Sequence, residues 1–402
     1  MSISVALEPA AAVVAVDVGK TAAAILVTDA QRRRLFGPVE FPMTGSGVAR
    51  VIKKTQAVLP LGVTRVGVEA AGHYHRPLTG SRVWPGWQVV ELNPAHVTEQ
   101  RRVMGRRRVK TDAIDLEAIT ELLLAGRGVP VTEPPPAVVQ LSAWAGHRRR
   151  RVATRTATKN QLLTQLDRCF PGLTLALPDV LGTRVGRLVA EQFSDPHRLA
   201  ALGSIRFIRF ASARGLQVNR TVADRLVAAA RDALPCGDAV IARQVLGADL
   251  ALLTSLDQQV HAAEASMAAL LPDTPFASLL TVPGWGVVRA GNYGAAVGDP
   301  CRWPSHRQLY RASGLSPVHY ESAGRRRDGA ISREGSVHLR RALIDLGIGL
   351  WLQDPAARGY GQTLRARGKN GGIIACAMAH RANKIAYAMV RDQTSYQPHR
   401  WA

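Results

Sequence analysis

The sequence predicts an α/β domain followed by an all-α remainder in two parts. Three observations carry this. Short strand-like apolar runs alternate with helical patterns in the first third. The run Pro134-Pro135-Pro136 then interrupts the chain. Beyond it the apolar residues recur mostly at helical spacing. The divisions fall at 1–133, 137–272 and 275–402. With 402 residues and 47% hydrophobic side chains, the chain can bury more than one core.

In the first division, "AVVAVDVG" (12–19) and "AAAILVTD" (22–29) read as two strands with a tight connection. "TRVGVEA" (64–70) and "WQVVELN" (87–93) supply a third and a fourth, and helical stretches follow at 94–104 and 112–125. The second division opens with one long amphipathic run, 137–170, continues through shorter helices over 171–235 to which no chemistry is assigned, and ends in a regular seam. Leu253, Leu256, Val260, Ala263, Met267 and Leu270 follow 3-4-3-4-3 spacing up to Pro272. That seam suits either the core of a helical bundle or a coiled-coil or dimer seam. The third division begins "TVPGWGVVRAG" (281–291), a turn of helix-hairpin-helix type that aims the amides of Gly284 and Gly286 at a phosphate. Helices at 337–353 and 372–391 close the chain.

Charge speaks to partners. Lys and Arg total 52 against 30 acids, for a net charge of +22, and only seven of the cations are lysine. Arginine suits phosphate through its bidentate fork, so a nucleic acid is the natural counterpart; a GC-rich genome would raise Arg and Ala together as well. The excess is distributed over all three divisions, unlike a basic tail on a neutral enzyme. Four cysteines without zinc spacing fit an intracellular, cytoplasmic protein with free thiols. The apolar run near the start is cut by Asp17 and has no cleavage site, and no stretch reads as a membrane span.

Carboxylates are scarce in so basic a chain, and four of them are placed unusually. Asp17 ends the first strand and Glu69 the third, where a buried carboxylate is costly unless paired or metal-bound. In "KTDAIDLEAITELLLAG" (110–126), Asp112, Asp115, Ile119 and Leu122 share one helical stripe directed at the protein body, with Glu117 and Glu121 opposite. Two accounts fit the aspartates. They begin a capped helix, with Thr111 or Asp112 as the cap. Or they join Asp17 and Glu69 around Mg²⁺ or Mn²⁺, as phosphodiester chemistry with paired metals requires. Such a set on an α/β scaffold looks like the RNase H/RuvC-like nucleases. Lys20 either touches a phosphate or is a solvated turn lysine, and Lys110 adds charge beside the aspartates. His73 and His75 lack companion ligands and read as ordinary residues at a helix start.

Taken together, these motifs resemble a known family. "DVGK", "VEAAGHY" and "RRRVKTDAIDLEAI" resemble the DEDD half of the insertion-sequence 110 transposases. "VPGWG", "YRASGLSPVHYESAG", "ISREGSVHLRRALI" and "ARGKNGGIIACAMAHRANKIAYAMV" resemble their second, transposase half. The resemblance implies a RuvC-like domain, a helical coiled-coil region for dimerisation, and a transposase domain bearing a nucleophilic serine, here Ser322. It also implies donor and target DNA, a structured bridge RNA encoded by the element, and dimers that assemble into tetramers. Trp285 and Ala323 depart from the family's usual residues. Around Ser322, Arg325, Arg326 and Arg327 either clamp phosphates or form a solvated basic turn, and Ser316 and Ser332 read as structural. The resulting expectation is Mg²⁺-dependent recombination through a phosphoserine–DNA link, with Asp17, Glu69, Asp112 and Asp115 as metal ligands. The rivals are a nuclease that uses water on the same N-terminal scaffold and a non-catalytic nucleic-acid-binding protein.

Overall fold

The computed structural model describes residues 9–80, 82–105, 111–322 and 325–398. Two compact units divide the chain, Met1–Glu133 and Pro134–Ala402.

The first unit is built on a six-stranded sheet. In chain order it runs β1 (Ala12–Val18), β2 (Ala22–Asp29), β3 (Arg34–Pro42), α1 (Gly45–Gln56), β4 (Thr64–Glu69), β5 (Gln88–Leu92), α2 (Pro94–Val103), α3 (Asp112–Leu124) and β6 (Val129–Pro130). The spatial order is β3-β2-β1-β4-β5-β6. β1, β4 and β5 are parallel, whereas β2 is antiparallel to both β1 and β3. The predicted strands and helices of this unit all form, within a residue at each end. The sequence reading omitted β3, where Gly37-Pro38 interrupts the alternation. A proline is tolerated in a sheet at an edge, and β3 is an edge strand.

Both faces of the sheet are covered, so β1 and β2 read as continuous apolar runs. Val13, Ala15, Leu26, Val90 and Leu92 pack under Leu116, Ile119 and Leu123 of α3. Val14, Val16, Ile25, Val66 and Val68 pack on the other face with Val51 of α1 and Trp84. Gly67 lets α3 sit close to the sheet, because a Cβ there would lie 2.6 Å from Leu123 Cδ2. The first turn of α3 is thereby held over the strand face that carries Asp17.

The second unit begins with α4 (Pro136–Cys169), followed by α5 (Leu173–Ala176), α6 (Arg184–Gln192), α7 (Pro196–Ser212), α8 (Arg220–Asp232) and α9 (Ala239–Leu270). It continues with α10 (Val287–Val297), α11 (His306–Ala312), β7 (Pro317–Ser322), β8 (Arg325–Ile331), α12 (Val337–Gln353), α13 (Pro355–Ala366) and α14 (Gly371–Asp392). The long helices α4 and α9 run antiparallel, since Arg148 meets Glu264, Arg155 meets Asp257 and Arg168 meets Asp238. Toward one end they form a core with α6, α7 and α8 that includes Leu162, Leu166, Phe193, Phe207 and Leu250. Toward the other, Leu141, Ala145 and Met267 join Leu343, Leu346, Met378 and Ile385 of α12 and α14.

The heptad seam is therefore filled from within the chain. Leu253, Leu256, Val260, Ala263 and Met267 are all buried in the packing of α4 on α9, so this stripe is not left open for a second protomer. One further difference concerns membranes. α9 with its following turn is long and apolar enough by composition to cross one, yet its apolar stripe is packed on α4 and its flank carries paired acids.

Candidate active site

The acids are positioned by strand register. Asp17 lies opposite Ala24 across β1 and β2, and Ala24 lies opposite Glu40 across β2 and β3. The parallel register of β1 and β4 runs to Val16 opposite Val68, so Asp17 and Glu69 are the next pair in line. Glu69 in turn faces Leu92 on β5. Residues in register project from the same face of a sheet, so Glu40, Asp17 and Glu69 form one row. Spacing between strands puts the Asp17 and Glu69 backbones about 5 Å apart and those of Asp17 and Glu40 about 10 Å apart. All three lie near the carboxyl ends of strands that point the same way, where open α/β sheets place their ligand sites.

α3 adds the next acid from above. Thr111 is the N-cap, its Oγ1 accepting from the Ile114 amide at 3.4 Å, and Asp112 and Asp115 both fall in the first turn. From there their fates separate. Asp112 is exposed and lines a cavity of about 220 Å³ together with Asp17, Gly19, Ala24 and Glu40. Asp115 is turned into the protein, 3% exposed, and its Oδ1 lies 3.1 Å from Arg101 Nη1 on α2. Glu117 and Glu121, expected on the opposite face, pair with Arg34 and Arg32.

The structure thus gathers Asp17 and Asp112 in one cavity and sets Glu69 beside Asp17 in register, while Asp115 is engaged by Arg101. Glu40 is the cavity acid the sequence reading missed; its signal was hidden with β3. Lys20 is exposed in the β1–β2 turn, which is closed by the Gly19 amide donating to Ala22 O at 2.9 Å. Lys110 lies outside the described residues. His75 is buried, with Nε2 3.8 Å from Glu91 Oε2, and caps a short 3₁₀ turn.

A divalent cation can be tested against these donors. The cavity's side-chain ligands are all carboxylate oxygens, the donor type that Mg²⁺ and Mn²⁺ prefer. Among the described residues, however, no three acidic, histidine or cysteine side chains are close enough to hold an ion as they stand. The donor chemistry of Asp17, Glu40 and Asp112 fits such an ion.

In the second unit the segment read as a basic loop is a β-hairpin. β7 and β8 pair antiparallel, with Ser322 opposite Arg325, Glu321 opposite Arg326 and Tyr320 opposite Arg327. Ser322 is thus the last residue of β7, at the hairpin tip. The side chains of Ser322, Arg325 and Arg326 lie outside the described set; that of Arg327 is exposed. Ser316 and Ser332 meet across the base of the hairpin, the Ser332 amide donating to Ser316 O at 2.9 Å and its Oγ accepting from the Glu334 amide.

The turn around Gly284 has an inward and an outward side. Gly284 takes φ +80°, and a Cβ there would lie 2.2 Å from Gly349 O on α12. Its own carbonyl accepts from Arg289 Nη1 at 2.9 Å. Trp285, the family departure, is buried and donates from Nε1 to Leu346 O at 2.8 Å. Gly286 is exposed and is the N-cap of α10, with no side-chain cap for the first amides of that helix.

Comparison with known proteins adds independent findings. A DEDD-type family model described as "Transposase" matches residues 14–171, and a second, described as "Transposase IS116/IS110/IS902 family", matches residues 277–361. The insertion element IS110 uncharacterized 43.6 kDa protein of Streptomyces coelicolor is 28% identical over 298 residues, 72% of each chain. The insertion element IS116 uncharacterized 44.8 kDa protein of Streptomyces clavuligerus is 24% identical over 390 residues, 96% of each chain. The transposase for insertion sequence element IS1328 of Yersinia enterocolitica is 28% identical over 155 residues, 35% of this chain and 43% of that one.

Proposed function

The chain belongs to the IS110 family of insertion-sequence transposases, and from that premise we propose that it recombines DNA with Asp17, Glu69 and Asp112 as metal ligands and Ser322 as nucleophile. The observation that supports this best is the shared cavity of Asp17 and Asp112 at the carboxyl end of β1. The strand order and this row of acids also favour an RNase H/RuvC-like assignment for the first unit.

A serine hydroxyl is a weak nucleophile and needs activation. A bound divalent cation supplies charge neutralisation at the scissile phosphate and eases loss of the hydroxyl proton. The carboxylates of Asp17, Glu69 and Asp112 bind and orient that cation. Ser322 Oγ forms a bond to phosphorus as its proton departs; the bond from phosphorus to the leaving sugar oxygen breaks, and that oxygen takes up a proton. The phosphoserine ester conserves the phosphodiester's energy, and attack by a new strand's hydroxyl reverses the step and frees the serine. Arg325, Arg326 and Arg327 on β8 offset phosphate charge. Lys20, Lys110 and the amides after Gly286 contact the backbone, with Gly284 shaping that turn. A structured RNA from the element selects donor and target by base pairing, and dimers assemble into tetramers.

A second reading has one observation in its favour: the acids and Ser322 belong to different compact units. A nuclease using water would need only the first unit. One experiment separates the readings. Protein, RNA, DNA and Mg²⁺ are incubated and denatured, and protein-linked DNA is sought. The wild type is expected to form the adduct and Ser322→Ala to form none. An adduct with Ser322→Ala would remove the serine assignment, and free DNA ends without any adduct would establish the water reading. Mixing Ser322→Ala with Asp17→Ala protomers then asks which chain's serine serves which acids.

A further inference from the structure

α4 carries four consecutive arginines, Arg148 to Arg151, and they do different jobs. Arg148 Nε donates to Glu264 on α9 at 2.7 Å, and Arg155, two turns on, reaches Asp257. These two hold the long helices together. Arg149 and Arg150 are turned away from that seam by the helical period. Their guanidinium groups converge over Gly146: Arg150 Nη1 and Arg149 Nη2 lie 3.5 and 3.7 Å from where a Cβ on that glycine would stand. The charge of Arg341 on α12 acts on Arg149 as well. Among the described residues none of these three arginines has an ion-pair partner.

The cluster is electrostatically unfavourable as it stands. Burial first, and then the like charges of Arg150 and Arg341, lower the pKa of Arg149. The pKa of His338, at the start of α12, is lowered likewise by burial and by Arg149 and Arg341. The carboxylate that faces the group is Asp345. Burial raises its pKa in spite of Arg289, Arg341 and Arg148. Arg149 is half-buried while Arg150 and Arg341 are exposed, and like charges brought together at a surface cost free energy until an anion joins them. One carboxylate against three guanidinium groups leaves an excess of positive charge, which points to an anion from outside. Guanidinium groups converging from two helices suit phosphate oxygens, which accept in bidentate fashion.

We propose that Arg149, Arg150 and Arg341 form a clamp for the backbone of duplex DNA on the second compact unit, made of residues other than those that do the chemistry. It rests on DNA being the substrate of this family, and not on the roles of Ser322 or the acids. The clamp carries no sequence information. It fixes the position of the duplex, as phosphate contacts do generally.

The test uses the full chain and a fluorescent duplex of random sequence, with binding measured by anisotropy from 50 to 200 mM salt. Each phosphate contact contributes about 0.9 to the slope of log affinity against log salt. The triple variant Arg149→Gln/Arg150→Gln/Arg341→Gln is expected to lose up to about 2.7 from that slope, which amounts to about a 40-fold change in salt sensitivity over this range. A control removes the same charge from exposed positions of α7 and α8, Arg198→Gln/Arg225→Gln/Arg231→Gln, and is expected to keep the wild-type slope. Equal losses in both variants, or none in the first, would overturn the clamp; so would a loss seen only with an RNA duplex. If thermal melting shows the triple variant unfolded, Arg341→Gln alone carries the test, with an expected loss of about 0.9. The clamp is read from the salt slope and the catalytic assignment from the protein–DNA adduct, so failure of the one and failure of the other are distinguishable.

Discussion

Removal of Asp115 should show whether this acid is a strut or a metal ligand. Its carboxylate is 4% exposed and meets an Arg101 side chain that is 17% exposed, at 3.1 Å. Deleting one partner of a buried pair typically costs about 3–5 kcal/mol, because the other charge is left desolvated and unpaired. Arg101 keeps some access to water, so the lower end, about 3 kcal/mol, applies to Asp115→Ala. For a domain of this size that corresponds to a fall in melting temperature of about 10 °C. Thermal unfolding by circular dichroism gives the size of the effect, and hydrogen exchange in α3 locates it in the first unit. The double variant Arg101→Met/Asp115→Leu should recover much of the loss, since it removes both charges and fills the space. If Asp115→Asn melts like the wild type yet abolishes Mg²⁺-dependent cleavage, the strut assignment is refuted and Asp115 is a ligand.

Two further outcomes follow from the second unit. Leu256→Ala should cost about 2–5 kcal/mol by opening a cavity against α4, with a melting temperature independent of protein concentration; a strong concentration dependence would mean that the seam is shared between protomers. Asp257 joins three helices, with Arg155 Nη1 at 3.2 Å and Arg187 Nη2 at 2.7 Å. Burial acts to raise its pKa, but the hydrogen bonds and charges of Arg187 and Arg155 prevail and hold it below the usual carboxylate range. A depressed folded-state pKa stabilises the fold above the unfolded value of about 4, and that contribution disappears as pH falls through the folded value. Asp257→Asn should therefore lower stability by about 1–3 kcal/mol at pH 7 and flatten the loss of stability below pH 4, read from melting curves across that range.

Much of the first unit was legible because its strands are apolar runs of the right length ended by turn residues. Asp17 and Glu69 stood out there as charges at strand ends. The sequence could also place Asp112 and Asp115 on one helical stripe, since period alone decides that. It could not separate them. Arg101 comes from another helix, and only the packing of α2 on α3 brings it to Asp115 and leaves Asp112 at the cavity. Glu40 stayed hidden for a similar reason: Gly37-Pro38 looks like a break until β3 is seen at the sheet edge.

The heptad of α9 divides the same way. Its spacing determined that a helix would bury one stripe, because apolar burial depends on the area removed from water. Burial is non-directional, so the pattern is the same for a partner in the same chain or another. The ion pairs of Arg148 and Arg155 with Glu264 and Asp257 of α9 place α4 on that stripe. For Ser322, local composition suggested a loop, and strand pairing made it the tip of a hairpin. By itself the sequence determined most strands and helices of the first unit, the motifs of the family and the scarcity of acids. The tertiary structure alone decided which charges face each other, because charge pairing depends on distances set by helices and strands remote in the chain.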